Sequence, residues 1–231
     1  MKFLVANWKM NGGVEFTENF SKTIGSIKTE NKVIICPPFP LLCKFKNFSH
    51  SLGAQNCSDK QSGAFTGETS PLLLKDLGCR YVIIGHSERR RIFNESDETI
   101  YEKYKTLIKL DITPIICVGE TEEERSEWRD ILSIQLSKFK NDENLSRAII
   151  AYEPIWSIGS GKTPTVAEIH EVLSFIKEVT HNNCPTLYGG SVNIKNIETI
   201  LKIPSVDGVL IGGASLKIEE FSKMVQCAEG M

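Results

Sequence analysis

The sequence predicts an α/β fold, a (β/α)8 barrel of eight parallel strands with outer helices. Eight short apolar runs are each followed by a segment with helical spacing or helix-capping residues. None of these runs alternates strictly between apolar and polar residues, which is typical of parallel strands buried on both faces. No linker or composition break divides the 231 residues, so we expect a single barrel domain over residues 1–231. An open, doubly wound sheet is the alternative.

The predicted strands are runs rich in Val, Ile and Leu that stop at glycine, proline or a polar residue. The third run is the weakest of the eight. The runs cover residues 3–6, 33–36, 52–56, 81–84, 114–118, 148–151, 186–188 and 208–211.

The predicted helices keep their apolar residues on one face. Phe16, Phe20 and Ile24 show this spacing in the first helix. Thr165 and Glu168 form a capping box at the start of a later one. The helices are expected at residues 15–27, 41–48, 71–77, 97–109, 122–139, from 166 onward, 194–201 and 218–225.

Composition and charge exclude several classes of partner. A net charge of −2 leaves no basic excess for nucleic acid or an anionic membrane surface. No apolar run approaches the roughly 18 residues of a membrane span. The N-terminal segment turns polar too early for a signal peptide, so we expect a cytoplasmic protein.

Cysteine usage and the missing cofactor motifs indicate a site built from side chains alone. The seven cysteines are scattered without a CxxC pair, which favours reduced thiols and no metal site. Cys36 and Cys117 lie inside apolar runs and are expected to be buried. The triplet Gly161–Lys162–Thr163 resembles the end of a P-loop, but Trp156 stands where that motif needs glycine, so no nucleotide cofactor is predicted.

The stretch after the sixth predicted strand is the first candidate for chemistry. Glu153 stands where this strand should end, and a carboxylate there is poorly solvated, so we expect its basicity to rise. Pro154, Trp156 and Pro164 place stiff ends around a glycine-containing middle, a pattern typical of a lid. The alternative is a surface loop with a solvated Glu153.

Other polar residues follow further predicted strands, and a barrel would bring all of them to one face. They are Asn7 and Lys9, His86 and Glu88, and Ser191, with glycine pairs at 189–190 and 212–213. The glycine pairs favour phosphate binding through backbone N–H groups, with tight turns as the alternative.

Each candidate side chain also has a structural interpretation. His86 is a candidate acid or electrophile, or a buried structural histidine. Lys9 is a Schiff-base nucleophile, a fixed cation or a surface lysine. Glu88 accepts a hydrogen bond from Lys9, or pairs with a neighbouring arginine. Together the set fits proton transfer beside a carbonyl group.

Six stretches in this chain, distributed from the first strand to the last, resemble the triosephosphate isomerase family. They are ANWKMN at 6–11, GHSERR at 85–90, CVGE at 117–120, AYEPIW at 151–156, YGGSV at 188–192 and GGASL at 212–216. The resemblance implies a triose-phosphate isomerase that interconverts dihydroxyacetone phosphate and D-glyceraldehyde 3-phosphate. Two departures are a short segment around residues 122–139 and a proline at position 164 where many members carry alanine.

The resemblance also assigns roles to residues. It implies that Glu153 is the base, that His86 is a neutral electrophile with Asn7 beside it, and that Lys9 supplies positive charge. Backbone N–H groups of the phosphate site are implied at Gly159, Ser191, Gly212 and Gly213. A homodimer is implied through the Gly63–Glu68 loop, with Thr66 at its tip.

Two other classes of protein remain as alternatives. A Schiff-base aldolase on the same fold would use Lys9. A binding or scaffold protein without activity would not need Asn7, Lys9, His86 and Glu153 all to be present.

Overall fold

The computed structural model describes residues 1–158 and 162–231, and its eight parallel strands form a closed barrel in chain order. The strands are β1 (Phe3–Asn7), β2 (Lys32–Cys36), β3 (Ser51–Ala54), β4 (Cys79–Ile84), β5 (Thr113–Val118), β6 (Ile149–Tyr152), β7 (Thr186–Tyr188) and β8 (Gly208–Ile211). The predicted barrel is confirmed, and closure excludes the open sheet.

Helices surround the barrel. They are α1 (Val14–Gly25), α2 (Pro71–Asp76), α3 (Ser87–Phe93), α4 (Asp97–Lys109), α5 (Trp128–Leu136), α6 (Val166–Val179), α7 (Ile197–Leu201) and α8 (Ile218–Cys227). The capping box predicted at the start of α6 is confirmed, because the Thr165 hydroxyl accepts from the Glu168 N–H and the Glu168 carboxylate accepts from the Thr165 N–H.

Two predicted helices differ from the structure. The segment predicted as one helix over residues 122–139 begins with a 3₁₀ turn at Arg125–Glu127 and becomes α-helical only at Trp128. The Glu124 carboxylate accepts from the N–H of Thr121 at 2.9 Å, and this local bond competes with a regular helix start. The helix predicted at 41–48 is a 3₁₀ helix, Phe39–Phe45.

Side chains fill the barrel interior, so the barrel is a packed core with no channel. Gly53 on β3 leaves room for its neighbours, since a Cβ there would lie 2.7 Å from the Cys36 Sγ and 3.2 Å from Ile34. The ten interior apolar residues are Val5, Ile34, Cys36, Ile83, Ile115, Cys117, Ile149, Ala151, Leu187 and Leu210.

The opposite faces of the strands pack against the helices in a second, larger core. Trp8, which follows β1, is fully buried there, with ring centroids 4.7 Å from Phe20 and 5.7 Å from Phe45. These edge-on contacts fix the start of the loop that carries Lys9.

Burial controls the chemistry of most cysteine side chains. Cys36, Cys57, Cys79, Cys117 and Cys184 are buried. Burial raises the pKa of Cys57 and of Cys79 to about 12, and that of Cys184 to about 11. The predicted burial of Cys36 and Cys117 is confirmed, and burial raises the pKa of each thiol well above its ordinary value.

None of the helices formed by residues 1–158 and 162–231 combines the length and the apolar character that crossing a bilayer requires.

The barrel closes where β8 meets β1, and this seam depends on a glycine. Gly208 is paired with Phe3. A Cβ at position 208 would lie 2.2 Å from the Phe3 carbonyl oxygen and 2.7 Å from its nitrogen. Both atoms belong to the backbone of the neighbouring strand, so they cannot move aside without opening the seam.

Replacing Gly208 by alanine should therefore lower the free energy of unfolding by about 3 kcal/mol or more. Urea unfolding followed by circular dichroism measures this loss. Gly13→Ala is the matched control, because a Cβ there meets nothing within 4 Å. Gly13 is the N-cap of α1, where alanine is less favourable than glycine, so we expect a loss of at most about 1 kcal/mol. A loss at position 208 no larger than that of the control would contradict the argument.

Candidate active site

A cavity of about 340 Å³ opens at the carboxyl ends of the barrel strands. It brings together seven of the predicted site residues: Asn7, Lys9, His86, Glu153, Ser191, Gly212 and Gly213. Glu88 lies beside this cavity and is bonded to Lys9. Gly159, also predicted for phosphate binding, lies outside the described residues.

The backbone of Lys9 is held in a left-handed conformation, with φ of 51°. Such a conformation is unfavourable for a lysine and persists only where neighbours enforce it. The Asn7 side-chain oxygen accepts the Lys9 N–H at 3.0 Å, and the Gln55 amide donates to the Lys9 carbonyl at 2.9 Å. The Lys9 Nζ then lies 2.6 Å from Glu88 Oε1, so the cation is held at the rim of the cavity.

His86 is positioned by the first turn of α3. The N–H of Glu88 donates to His86 Nδ1 at 3.2 Å. A ring nitrogen that accepts a hydrogen bond carries no proton, so the proton of the neutral ring lies on Nε2. His86 is buried, and its Nε2 is directed to Glu153, with 2.9 Å between Nε2 and Oε1.

Glu153 follows β6 and is 2% exposed. Its backbone is pressed against the end of β5, where a Cβ on Gly119 would lie 1.8 Å from the Glu153 carbonyl oxygen. Only glycine fits this contact. The carboxylate is held by two donors, His86 Nε2 at Oε1 and the N–H of Ser87, at 2.9 Å, at Oε2.

These contacts set the charge of the pair. Burial raises the pKa of Glu153, but His86, the Ser87 N–H and Lys9 outweigh burial and hold that pKa below its ordinary value. The sequence-based expectation of a more basic Glu153 is therefore wrong for the unliganded protein. Burial lowers the pKa of His86, but the adjacent Glu153 carboxylate outweighs it and raises that pKa above its ordinary value.

Two glycine-rich loops form another part of the cavity wall. After β7, a Cβ on Gly189 would lie 3.1 Å from the Glu153 Cγ, so the loop backbone passes directly beside the carboxylate. After β8, the 3₁₀ turn Gly213–Leu216 begins at the cavity. Backbone N–H groups at such a turn start suit an anion, and glycine lets the anion approach closely.

The chain between Glu153 and residue 158 is anchored to β5 and β6. The Trp156 indole donates to Glu120 Oε1 at 2.9 Å, and the Tyr152 hydroxyl donates to the same oxygen at 3.0 Å. The Arg125 guanidinium lies over the Trp156 ring, 4.0 Å from its centroid. Burial raises the pKa of Glu120.

Sequence reasoning assigned no role to Gln55, Ser87 or Ser157. Gln55 was placed inside the third predicted strand, residues 52–56, but it directly follows the observed β3. With the correct strand end, the rule that polar residues at strand ends meet at one face would have found it. Ser87 acts through its backbone N–H and leaves no side-chain signal. Within residues 1–158 and 162–231, no group of three or more His, Cys, Asp or Glu side chains is arranged to hold a metal ion.

The sequence of the whole chain matches that of a known family. A sequence model described as triosephosphate isomerase matches residues 2–228. The chain belongs to the triosephosphate isomerase family. It is therefore an intramolecular aldose–ketose isomerase that acts on triose phosphates, as the resemblance predicted.

Individual relatives agree over nearly their full lengths. A triosephosphate isomerase of Mesomycoplasma hyopneumoniae (strain 232) is 44% identical over 237 residues, covering 97% of this chain and 98% of the relative. One of Dehalococcoides mccartyi (strain CBDB1) is 44% identical, covering 94% and 92%. One of Endomicrobium trichonymphae is 40% identical, covering 96% and 97%.

The electrostatics of the pair give a pH prediction. In a Glu153→Gln variant the main charge that raises the His86 pKa is gone. Burial and Lys9 still lower that pKa, and only the weaker effect of the Glu88 carboxylate still raises it. We expect the His86 pKa to move from above to below its ordinary value, as measured by NMR titration of the ring, with exposed His181 as internal reference.

The same shift affects stability. A raised pKa in the folded state means that protonated His86 stabilises the fold below the pKa of an unfolded histidine. This contribution is lost as the pH rises through the folded pKa. If the Glu153→Gln substitution leaves the His86 pKa unchanged, Glu153 is not the cause of the raised pKa.

Proposed function

We propose that Glu153 is the base that moves a proton between the two carbons of dihydroxyacetone phosphate and D-glyceraldehyde 3-phosphate, through an enediolate. The observation that carries this proposal is the contact of 2.9 Å between Glu153 and His86, in a cavity at the mouth of the barrel that Lys9 and the two glycine-rich loops also line. Such a set supplies a base, an electrophile and a binding site for phosphate.

The base is held in a weakly basic state until substrate binds. In the structure His86 Nε2 donates to Glu153 Oε1, and the Ser87 N–H donates to Oε2. A substrate carbonyl oxygen that accepts the His86 Nε2–H removes one of these bonds. Because that bond helps to hold the Glu153 pKa low, its loss makes the carboxylate more basic at the moment when the substrate carbon is beside it.

His86 serves as the electrophile. Its Nε2–H donates to the carbonyl oxygen and stabilises the negative charge that develops as Glu153 takes the proton. Glu153 then returns that proton to the neighbouring carbon. The former carbonyl oxygen takes the proton of His86 Nε2, and Nε2 takes the hydroxyl proton of the other oxygen, so no proton is gained or lost overall. The Glu88 N–H at Nδ1 favours the neutral ring, since a second proton on the ring would break this bond.

Lys9 and the two glycine loops hold the charged end of the substrate. The Lys9 Nζ is fixed by Glu88 at the rim of the cavity, as a cation that an anionic substrate can approach. The N–H groups of Ser191, Gly212 and Gly213 are proposed to bind the phosphate, together with that of Gly159. The ion pair with Glu88 suits a fixed cation and does not suit the free amine that a Schiff-base aldolase needs.

Glu153→Gln should lower kcat by at least about 10²–10⁴-fold, because the amide cannot accept the proton. A coupled isomerase assay measures the rate, and the affinity for inorganic phosphate should change little. Glu198→Gln, which changes an exposed carboxylate on α7, is the matched control. Equal rates for Glu153→Gln and the control would remove Glu153 from the mechanism, and a borohydride-trapped adduct on Lys9 would favour the aldolase.

We also propose that two copies of the chain associate through the Gly63–Glu68 loop. Phe65 is 46% exposed, and it lines a shallow depression together with the exposed Leu72 and Leu73 of α2. Adjacent exposed apolar side chains of this kind are typical of a protein interface.

Phe65→Asp should raise the dissociation constant of the dimer by about tenfold or more, because a charge replaces an apolar anchor. Sedimentation velocity over a concentration series measures this constant. Ile134→Asp on α5 is the control, since Ile134 is 60% exposed and does not line the depression. A monomeric wild type, or equal association of both variants, would contradict the proposed interface.

A further inference from the structure

Ser157 is a fully buried hydroxyl that has no role in the chemistry described above. It ends the 3₁₀ turn Ile155–Ser157, four residues after Glu153. Its hydroxyl contacts Lys162 in the same connection, and Tyr188 and Ser191 at the end of β7 and in the loop that follows. The Ser157 side chain therefore connects the chain on both sides of residues 159–161 to the glycine-rich loop after β7.

The directions of these bonds follow from the number of available protons. Ser157 Oγ is 2.8 Å from the carbonyl oxygen of Lys162, which can only accept, so Ser157 donates its single proton there. The Ser191 N–H donates to Ser157 Oγ at 3.2 Å. The Tyr188 hydroxyl, 3.5 Å away, is then the donor in the third contact.

The surrounding backbone is shaped around this hydroxyl. A Cβ on Gly190 would lie 2.2 Å from the Tyr188 hydroxyl and 2.9 Å from Ser157 Oγ. Position 190 must therefore remain without a side chain for the loop to approach Ser157. The contact between Ser157 and Ser191 depends on this close approach.

The Ser191 N–H has two candidate acceptors, the Ser157 hydroxyl and a phosphate oxygen. In the structure it donates to Ser157 Oγ. In the proposed mechanism it is a phosphate donor. An N–H group makes one well-aligned hydrogen bond, so a phosphate oxygen that takes it must replace the Ser157 hydroxyl.

We propose that Ser157 is a positioning residue of the phosphate site, whose hydroxyl holds the Ser191 N–H in the free enzyme and is exchanged for a phosphate oxygen on binding. The exchange couples phosphate occupancy to Lys162, because the same hydroxyl is bonded to the Lys162 carbonyl. This inference rests on the proposed function, in which Ser191 is a phosphate donor.

The test is an NMR titration of the full-length protein and of Ser157→Ala with inorganic phosphate. Removal of the competing hydroxyl should lower the dissociation constant of phosphate about three- to tenfold, the value of one hydrogen bond. Thr180→Val is the matched control, because it removes another fully buried hydroxyl, bonded to the Ile176 carbonyl at the end of α6. The control should leave the phosphate dissociation constant unchanged.

An unchanged or a raised dissociation constant in Ser157→Ala would overturn the proposal. If this variant does not fold, the wild type provides the second measurement, since phosphate should shift the Ser191 amide and the Ser157 ¹³Cβ resonances with the same dissociation constant. A shift of Ser191 alone would also overturn the proposal. Failure of the wild type to bind phosphate at Ser191 would instead count against the proposed function. The experiment therefore distinguishes failure of the Ser157 proposal from failure of the proposed function.

Discussion

Closure of the barrel between β1 and β8 is the constraint on which the site depends. All eight strands run parallel, so their carboxyl ends meet at one mouth only if the ring is complete. The seam places Lys9, just after β1, beside Gly212, where a Cβ would lie 3.5 Å from the lysine Cε. These two residues are about 200 positions apart in the chain. Lys9 and the turn proposed to bind phosphate become neighbours because Gly208 allows the first and last strands to pair.

The hydrogen bonds of the site hold Glu153, the proposed base, in a weakly basic form. Glu153 is buried, which alone would make it a stronger base, yet two donors and a nearby cation dominate. The lowered pKa keeps the carboxylate ionised, and in the proposed mechanism its basicity increases when substrate takes over the His86 donor. The proposed role of Ser157 follows the same principle, because its hydroxyl accepts the Ser191 N–H that a phosphate oxygen would take on binding.

The sequence predicted the strands well because strands buried on both faces appear as unbroken apolar runs, and β7 and β8 have the predicted bounds. Helix α3 was not predicted, since its Ile92 and Phe93 are exposed and no apolar stripe appears. Polar residues at strand ends identified the members of the cavity. The lowered Glu153 pKa was not predictable in the same way, because it results from hydrogen bonds between segments that are distant in sequence.

The buried thiols allow local and partial unfolding of the barrel to be measured by chemical modification. A thiol reacts as its thiolate and only in contact with the reagent, so a buried cysteine reacts when its surroundings open. Cys36 and Cys117 point into the barrel interior, whereas Cys184 lies just before β7. A slow rate of modification at Cys36 and Cys117 would report how often the strands separate. A faster rate at Cys184 would report local opening near the end of α6. The chain thus contains its own graded probes of partial unfolding.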